Sequence, residues 1–186
     1  MLLFTTEITS DKIASDNPLH NRLLSAYTLS KKFISGDVLE LGCGEGRGID
    51  IILKKSKSYT AIDKIKSVIE VLSLKYKKNN FLVSNFPPLD MIKDNSFDTI
   101  ISFQVIEHIN DDELFVSEIK RILRPGGIAL ITTPNIKMTL TRNPWHIREY
   151  TSKELRGLCE KYFSSVEVNG ISGNEKVIKY YNQNLD

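Results

Sequence analysis

The fold is decided by the stretch Asp37-Val38-Leu39-Glu40-Leu41-Gly42-Cys43-Gly44-Glu45-Gly46-Arg47-Gly48. Its first five residues have the pattern of a short β-strand, and the glycine cluster after them is typical of a tight turn. Glycines lack β-carbons, so such a turn lets a ligand approach the backbone closely. Residues 49–55 then resume a helical pattern. A strand, a glycine-rich turn and a helix in this order predict a ligand site at the carboxyl end of the strand.

The alternation of strand and helix continues on both sides of this stretch. Before it, Asp16-Asn17-Pro18 predicts the start of a helix over 19–34 that ends at Gly36, and residues 1–35 are interpreted as an N-terminal helical cap. After it, the hydrophobic period changes several times between two and 3.6 residues. Strands are predicted at 59–63, 81–83, 97–103, 128–133 and 166–168, and helices at 67–76, after Asn110 and after Thr151.

Strands separated by helices require crossover connections, which are right-handed in nearly all proteins. The expected architecture is a doubly wound, mostly parallel α/β sheet with helices on both faces, and ligands bind such sheets beyond the carboxyl ends of the strands. A capping box is predicted from Asn110 with Glu113, ahead of the fourth helix. Thr151 with Glu154 predicts another, and the run Arg124-Pro125-Gly126-Gly127 predicts the turn before the fifth strand.

Length and composition favour one ordinary globular domain spanning residues 1–186. A net charge of +2 is too small to imply a polyanionic partner by itself. The lysines within 54–57 and 75–78 are typical of solvated helix ends, with a nucleic-acid or membrane-surface patch as the alternative. The two cysteines, Cys43 and Cys159, cannot form a dense disulfide framework, which favours a reducing compartment, the cytoplasm. No apolar run approaches the ~18 residues of a transmembrane helix, and the amino end lacks a secretory pattern.

The glycine cluster differs from the two common phosphate-binding loops. A dinucleotide fingerprint, G-x-G-x-x-G, would need glycine at position 47, where Arg47 stands, and Glu45 would place a carboxylate near a pyrophosphate. A P-loop would need Gly-Lys-Ser/Thr after four spacer residues, and the sequence has none. Asp63, at the end of the second strand, can accept hydrogen bonds from both hydroxyls of a ribose. The glycine loop and this acid predict an adenosine-like ligand without phosphates, and an ordinary turn with a solvated Asp63 is the alternative.

Five segments in order resemble the motifs of class I S-adenosylmethionine-dependent methyltransferases. The first is 38–46, which is similar to the family signature E-x-G-x-G-x-G. The others are Ala61-Ile62-Asp63, Asn95-Ser96-Phe97-Asp98, Ile106-Glu107-His108 and Leu123-Arg124-Pro125-Gly126-Gly127. The resemblance spans residues 36–170 and implies a Rossmann-like fold, with S-adenosylmethionine as cofactor and S-adenosylhomocysteine as its product. The family normally ends on an antiparallel strand, and residues 175–184 are ambiguous between strand and helix, so this last strand is either antiparallel or missing.

The resemblance also implies roles for individual residues. Asp63 would hold the ribose, and Lys64 or Ile65 would border the adenine. Where the family often carries an acid after the third strand, this sequence has Asn85 and Phe86, and the amide oxygen of Asn85 can still accept a hydrogen bond. The methionine end of the cofactor would be bordered by Glu40, Gly42, Cys43, Gly44, Gly46 and Gln104.

Methyl transfer is an in-line displacement, so catalysis consists chiefly of aligning the acceptor with the methyl group. A hydroxyl acceptor also needs a base, and His108 beside Glu107 is the first candidate, with His146 as the second. A structural hydrogen-bonding role is the alternative for His108. The run Gln104-Val105-Ile106-Glu107-His108 also resembles the E-x-x-E-H metal-binding segment of the ubiquinone-pathway O-methyltransferases. Gln104 replaces the first acid, and a neutral amide is a poor ligand for a hard cation, so no required metal is predicted.

An acceptor lid is predicted over residues 134–150, after the fifth strand. The segment is polar and interrupted by proline, and aromatic and arginine side chains supply contact area and orientation in substrate pockets. A surface loop pinned by Trp145 is the alternative. The candidate acceptor residues are Arg142, Trp145, His146, Arg148 and Tyr150.

The resulting hypothesis is transfer of a methyl group from S-adenosylmethionine to an oxygen, nitrogen or carbon atom of a small molecule or glycan precursor. Two alternatives stay open: a non-catalytic cofactor-binding module that serves a partner, and a nucleic-acid methyltransferase. The Asn/Asp-Pro-Pro-Tyr/Trp motif associated with exocyclic amino-group methylation is absent, and Phe86-Pro87-Pro88-Leu89 is not a substitute for it.

Overall fold

Five strands form one sheet, all of them parallel, in the order β3-β2-β1-β4-β5. The computed structural model describes residues 17–140 and 143–184, with side chains from His20 onward. Residues 1–16 of the predicted cap and Arg142 of the predicted lid therefore lie outside the described residues. The strands are β1 (Asp37–Leu41), β2 (Ser58–Asp63), β3 (Asn80–Val83), β4 (Phe97–Phe103) and β5 (Leu123–Thr132).

Helices alternate with these strands and cover both faces of the sheet. Short 3-10 turns follow α1 at Lys31–Phe33, β4 at Ile106–His108 and β5 at Ile136–Met138. The predicted helix over 49–55 is regular for four residues only and continues as hydrogen-bonded turns. The helices are α1 (Asn17–Ser30), α2 (Ile49–Ile52), α3 (Lys66–Lys75), α4 (Asp112–Ile122), α5 (Ser152–Glu160) and α6 (Glu175–Asn184).

Alternate residues of β1, β2, β4 and β5 enter two different hydrophobic clusters. Leu39, on one face of β1, belongs to the cluster that includes α4 and α5, and Val38, on the other face, belongs to the cluster of α1, α2 and α3. Successive side chains of a strand point to opposite faces, so a sheet with apolar residues at consecutive positions is buried on both sides. The predicted doubly wound, parallel architecture is confirmed.

The predicted turn at 124–127 lies inside β5 rather than before it. Phe97 of β4 pairs with Leu123, but Thr99 pairs with Ile128, so the intervening residues of β5 bulge out of the ladder. Gly126 there has a φ of +81°, a conformation that glycine adopts without strain. The strand therefore begins five residues earlier than the sequence pattern indicates.

The predicted capping box of Asn110 with Glu113 is wrong, because α4 begins one residue later. Asp111 is the N-cap, and its Oδ1 accepts a hydrogen bond from the backbone N–H of Leu114 at 2.9 Å. Asp and Asn are equally good N-caps, so the choice between neighbours depends on the direction from which the chain enters the helix. The box of Thr151 with Glu154 is confirmed at the start of α5.

The predicted strand at 166–168 is also wrong, because residues 164–174 form neither helix nor strand. The Val166 carbonyl accepts a hydrogen bond from the Arg156 guanidinium at 2.6 Å instead of joining the edge of β5. Residues 175–184, ambiguous in the sequence, form α6, whose start is capped by Asn174 through the N–H of Val177. The sheet as described thus lacks a final antiparallel strand.

The helices of the described part of the chain are too short and too polar to cross a lipid bilayer.

Candidate functional site

The glycine loop packs against the turn that follows β4. Gly42 has a φ of +77°, and its N–H donates to the Ile62 carbonyl at 2.8 Å. A β-carbon on Gly42 would lie 2.4 Å from Cγ2 of Val105, closer than any real contact allows. Glycine is therefore required at position 42 by both backbone conformation and packing. The loop after β1 and the loop after β4 form one surface at the carboxyl edge of the sheet.

Asp63, at the end of β2, fastens the same loop from the other side. Its Oδ2 accepts a hydrogen bond from the N–H of Gly44 at 2.9 Å, and its Oδ1 accepts one from the N–H of Ile65 at 2.9 Å. Gly44 has a φ of +50°, and a β-carbon there would meet no atom of the described residues within 4 Å. The structure thus brings Gly44 and Asp63, two of the predicted cofactor residues, into contact beside open space, while Lys64, the residue after Asp63, is exposed.

Glu40 lies beneath the loop, fully buried. Its two carboxylate oxygens accept hydrogen bonds from the hydroxyls of Tyr27, at 2.6 Å, and of Tyr59. Burial raises the pKa of Glu40 to about 7, although the two tyrosine hydrogen bonds oppose the shift. Contact of Glu40 with the cofactor stays a prediction. In the structure its hydrogen bonds with Tyr27 and Tyr59 hold it beneath the glycine loop. Cys43 is buried as well, which raises the pKa of its thiol.

The two tyrosines are functional candidates that the sequence analysis missed. Tyr27 belongs to α1, and a β-carbon on Gly48 would collide with its ring. Tyr59 points to the same face of the sheet as Glu40, because Glu40 pairs with Ala61 and residues two apart in a strand share a face. Tyr59 could have been found from this register, but Tyr27 could not, because nothing in the sequence fixes how α1 docks. The N-terminal helix thus supports the glycine loop directly.

The residues predicted for the adenine side are placed differently from one another. Asn85 is exposed, two residues beyond the end of β3. Phe86 stacks on Phe115 of α4, with ring centroids 5.8 Å apart, so its ring contributes to the core. Gln104, which was predicted for the methionine end, has a φ of +58°, and its amide donates to the Thr132 hydroxyl at 3.3 Å. Strained backbone in a non-glycine residue is common at functional sites, and Gln104 directly precedes the Val105 that contacts the loop.

The predicted lid is anchored at its carboxyl-terminal end. Tyr150 is buried, and its hydroxyl donates to Oδ2 of Asp112 at 2.8 Å. Arg148 donates to the same oxygen at 3.0 Å and stacks on the Tyr150 ring. The N–H of Ile147 donates to the backbone carbonyl of Glu107 at 2.8 Å. Through these contacts Tyr150 anchors the segment to α4, whereas the Trp145 side chain is half exposed.

Both candidate histidines meet at Glu107, under the lid. The rings of His108 and His146 are 5.0 Å apart between centroids and stand edge to face. Nδ1 of His108 lies 2.8 Å from the Trp145 carbonyl oxygen, and Nδ1 of His146 lies 2.6 Å from Oε1 of Glu149. Glu107 is fully buried, and this burial raises its pKa to about 7. Glu149 was not singled out from the sequence, because a carboxylate three residues after a histidine is common on ordinary surfaces.

Comparison with known protein families gives a direct match. A family model described as a methyltransferase domain matches residues 39–131, from β1 to β5. An S-adenosylmethionine-dependent methyltransferase of Mycolicibacterium smegmatis is 35% identical over 173 residues, which cover 89% of this chain and 66% of that protein. A ubiquinone biosynthesis O-methyltransferase of Pelagibacter ubique is 32% identical over 66% of this chain and 46% of its own length. The chain therefore spans less than two thirds of these curated relatives.

Solved structures show the same fold at lower identity. A chain of the complex between the Haloferax volcanii Trm112 methyltransferase activator and a methyltransferase matches with a TM-score of 0.70 at 18% identity, over 80% of this chain and 71% of that chain. A type 11 methyltransferase from Sulfolobus solfataricus matches with a TM-score of 0.59 at 24% identity, over 71% of this chain and 76% of that one. At these identities the likeness extends to the fold alone.

Proposed function

Because the chain belongs to the methyltransferase domain family, we propose that it transfers a methyl group from S-adenosylmethionine to an oxygen, nitrogen or carbon atom of a small molecule or glycan precursor. The observation that carries the proposal is the hydrogen bond between Asp63 and Gly44 at 2.9 Å. It joins the acid after β2 to the glycine loop after β1, at the edge of the sheet where ligands of such folds bind.

The residues at this edge fit the chemistry of S-adenosylmethionine. Its adenosine carries a ribose but no phosphate, and its methionine end carries cationic groups. Glu45 in the loop is exposed, and Asp63 accepts a hydrogen bond from the Gly44 N–H of the same loop. These acidic residues suit a cationic ligand and oppose a pyrophosphate. The open space over Gly44 is what a β-carbon would fill, so the loop has room for a ligand against its backbone.

Bound S-adenosylmethionine supplies a methyl group on a positively charged sulfur, which a lone pair of the acceptor can displace. The chain's own part is positioning. Asp63 keeps free lone pairs on both carboxylate oxygens, because each accepts one described hydrogen bond and a carboxylate oxygen can accept two. Those lone pairs can receive ribose hydroxyls. Asn85, Phe86 and Gln104 stay predictions as further cofactor contacts.

The predicted lid supports an acceptor with an apolar part. Four of its large apolar side chains are 40–51% exposed: Ile136, Met138, Trp145 and Ile147. Ordinary protein surfaces carry isolated apolar side chains, so four exposed ones within 12 residues favour a binding surface. For a hydroxyl acceptor, His108 and His146 stay predictions as the base.

The nucleic-acid alternative receives no support from the lysine clusters. Lys57 directly precedes β2, and Lys77 and Lys78 precede β3 by a few residues. The starts of parallel strands lie at the edge of the sheet opposite to the glycine loop. A polyanion held by these lysines would therefore be far from the methyl group, so the clusters are better explained as solvated helix ends.

Calorimetric titration with S-adenosylmethionine and S-adenosylhomocysteine tests the cofactor half of the proposal. Asp63→Asn keeps one oxygen, which can accept from the Gly44 N–H, but it loses the charge and the acceptor for the Ile65 N–H. We expect both ligands to bind about 10- to 100-fold more weakly. The exposed carboxylate of Asp90 provides the matched control, Asp90→Asn, which should bind as the wild type does. Equal affinity in Asp63→Asn would refute the ribose assignment, and a wild-type chain that binds neither ligand would refute the proposal.

Labelled S-adenosylmethionine tests the acceptor half. The wild-type chain is incubated with a metabolite extract and methyl-labelled cofactor, and mass spectrometry follows label entering small molecules. Label in a small molecule that is absent with Asp63→Asn supports the proposal. Tight cofactor binding with no labelled product would favour the non-catalytic module instead.

A further inference from the structure

Two distant parts of the chain bring three metal-binding side chains together. Glu107 and His108 lie in the turn after β4, and His146 lies in the predicted lid. One ligand atom of each residue lies within 4.8 Å of those of the other two. We propose that Glu107, His108 and His146 bind a divalent transition-metal ion, with Zn²⁺ as the reference ion.

Both histidines have hydrogen-bond partners that favour the tautomer of a metal ligand. The carbonyl oxygen of Trp145 can only accept, so Nδ1 of His108 carries the hydrogen and, in the neutral ring, Nε2 carries the lone pair. The carboxylate of Glu149 imposes the same tautomer on His146. Metal-binding histidines nearly always donate their second ring nitrogen to a carbonyl or a carboxylate, and here both kinds of partner are present.

Glu107 provides a second, independent observation. Its Oε2 accepts a hydrogen bond from the Thr133 hydroxyl at 3.0 Å, whereas its buried Oε1 has no hydrogen-bond partner among the described residues. A buried polar atom without a partner costs about 1–3 kcal/mol, so such atoms are rare unless an ion or ligand satisfies them. A cation between Glu107 and the two imidazoles would supply the missing partner.

The donor set indicates the class of ion. Two imidazoles and one carboxylate are the protein ligands of many zinc sites with an open coordination position, and other borderline divalent ions accept the same set. Tetrahedral ligands at zinc are about 3.4 Å apart, so atoms within 4.8 Å need to draw together by at most about 1.5 Å. The expectation of no required metal considered residues 104–108 alone, where Gln104 is neutral. The fold supplies His146 as the third ligand instead.

The ion would fix the lid to the rest of the site. His146 is the only one of the three that belongs to residues 134–150, and Val105, two residues before Glu107, contacts the glycine loop. An ion shared by the three side chains would therefore hold the lid against the turn that touches the glycine loop. The site rests on side-chain geometry and does not depend on methyl transfer.

Zn²⁺ itself is the probe, added to the tag-free, chelator-treated chain in a calorimetric titration. We expect one ion per chain in the wild type, with at least tenfold weaker binding in Glu107→Gln and in His146→Gln. Glu149→Gln removes the negative charge of the side chain that contacts His146 Nδ1 and the Thr139 hydroxyl, and it should weaken binding by about 10- to 100-fold. His20, the third histidine of the sequence, gives the matched control. Its Nδ1 accepts a hydrogen bond from Nε of Arg47 and it is not one of the three proposed ligands, so His20→Gln should bind Zn²⁺ as the wild type does.

The histidine ring signals in NMR spectra of the wild type keep the proposal testable if a variant fails to fold. Zn²⁺ should shift the signals of His108 and His146 and leave those of His20 in place. The proposal is overturned if the wild type shows no saturable binding of Zn²⁺, if His146→Gln binds as tightly as the wild type, or if all three histidines respond alike. Each of these results can occur whether or not S-adenosylmethionine binds, so failure here and failure of the methyltransferase proposal are distinguishable.

Discussion

The carboxylate of Asp63 accepts a hydrogen bond from the backbone N–H of Gly44 at 2.9 Å, although the two residues are 19 positions apart. This bond makes the acid after β2 and the glycine loop after β1 one structural unit. Asp63 fixes the loop, and under the proposed function it would also present its remaining lone pairs to a ligand. A substitution that removes the side chain would change both roles, whereas asparagine keeps one acceptor for the loop and loses the charge.

Alanine at two glycines of this loop should have different effects. Gly42→Ala introduces a β-carbon 2.4 Å from Val105 at a φ of +77°, so we expect a loss of stability of more than about 2 kcal/mol. Gly44→Ala meets open space at a φ of +50°, so the cost should be the backbone strain alone, about 1–2 kcal/mol.

Cofactor affinity separates the two variants further. The methyl group of Gly44→Ala would occupy the space over the loop, so S-adenosylmethionine should bind at least tenfold more weakly to a chain that is still folded. Denaturant unfolding and calorimetry measure the two quantities. Unchanged affinity in Gly44→Ala would mean that the ligand does not lie over this part of the loop.

The start of α4 is tested by alanine at two neighbouring residues. Asp111→Ala removes the side chain that accepts from the Leu114 N–H and should cost about 1 kcal/mol of unfolding free energy. Asn110→Ala, at the exposed residue before it, should change stability by less than about 0.5 kcal/mol. Chemical denaturation of both variants checks this. A larger loss of stability in Asn110→Ala than in Asp111→Ala would mean that Asn110, the residue predicted from the sequence, is the N-cap.

The parallel core of the fold was predictable because its signals are local. The bounds of β1 and β4 agree with the sequence pattern, since each strand is a run of apolar residues closed by a turn or polar segment. The sequence-based predictions were wrong where contacts between distant residues determine the structure. Leu123 joins β5 because it pairs with Phe97 of β4, and Val166 leaves the sheet because its carbonyl binds Arg156.

The candidate site likewise has one part that could be predicted from the sequence and one part that could not. Gly44 and Asp63 stand in recognisable motifs, so their placement at one edge follows from the order of the strands. The meeting of Glu107 with His146 could not be predicted, because it depends on how residues 134–150 return to the turn after β4. Their path is set by backbone hydrogen bonds from Ile147 and Arg148 to the Glu107 carbonyl, which leave no trace in the residue types.

The anchor of the predicted lid is tested at Tyr150. Tyr150→Phe removes the hydroxyl that donates to Asp112, which keeps its contact with Arg148, so we expect a loss of about 1 kcal/mol. Proteolysis within 134–150 should become faster, because local opening of the segment becomes less costly. Tyr180→Phe, on the exposed face of α6, is the matched control and should change neither stability nor cleavage rate. Equal proteolysis of all three chains would show that the Tyr150 hydroxyl does not anchor the segment.

Glu40 should make the stability of the protein depend on pH. Burial raises its pKa in the folded chain to about 7, whereas the unfolded chain has the ordinary value of 4.5. The folded state thus binds a proton more tightly than the unfolded state, and the ionised form is penalised by folding. Between pH 4.5 and 7 the unfolding free energy should therefore fall as the pH rises, by about 3 kcal/mol in total, and this contribution should be constant above pH 8.

Glu40→Gln isolates this contribution, because glutamine has nearly the same shape and does not titrate. Its amide oxygen can still accept a hydrogen bond from Tyr27 or Tyr59, so the variant should fold. The difference in unfolding free energy between the wild type and Glu40→Gln, measured in denaturant at several pH values from 4.5 to 8.5, removes the effects of all other titrating groups. We expect this difference to decline across the interval between the two pKa values. A difference that stays constant would mean that Glu40 has the same proton affinity in both states, and the buried carboxylate beneath the glycine loop would then be ionised and paired throughout.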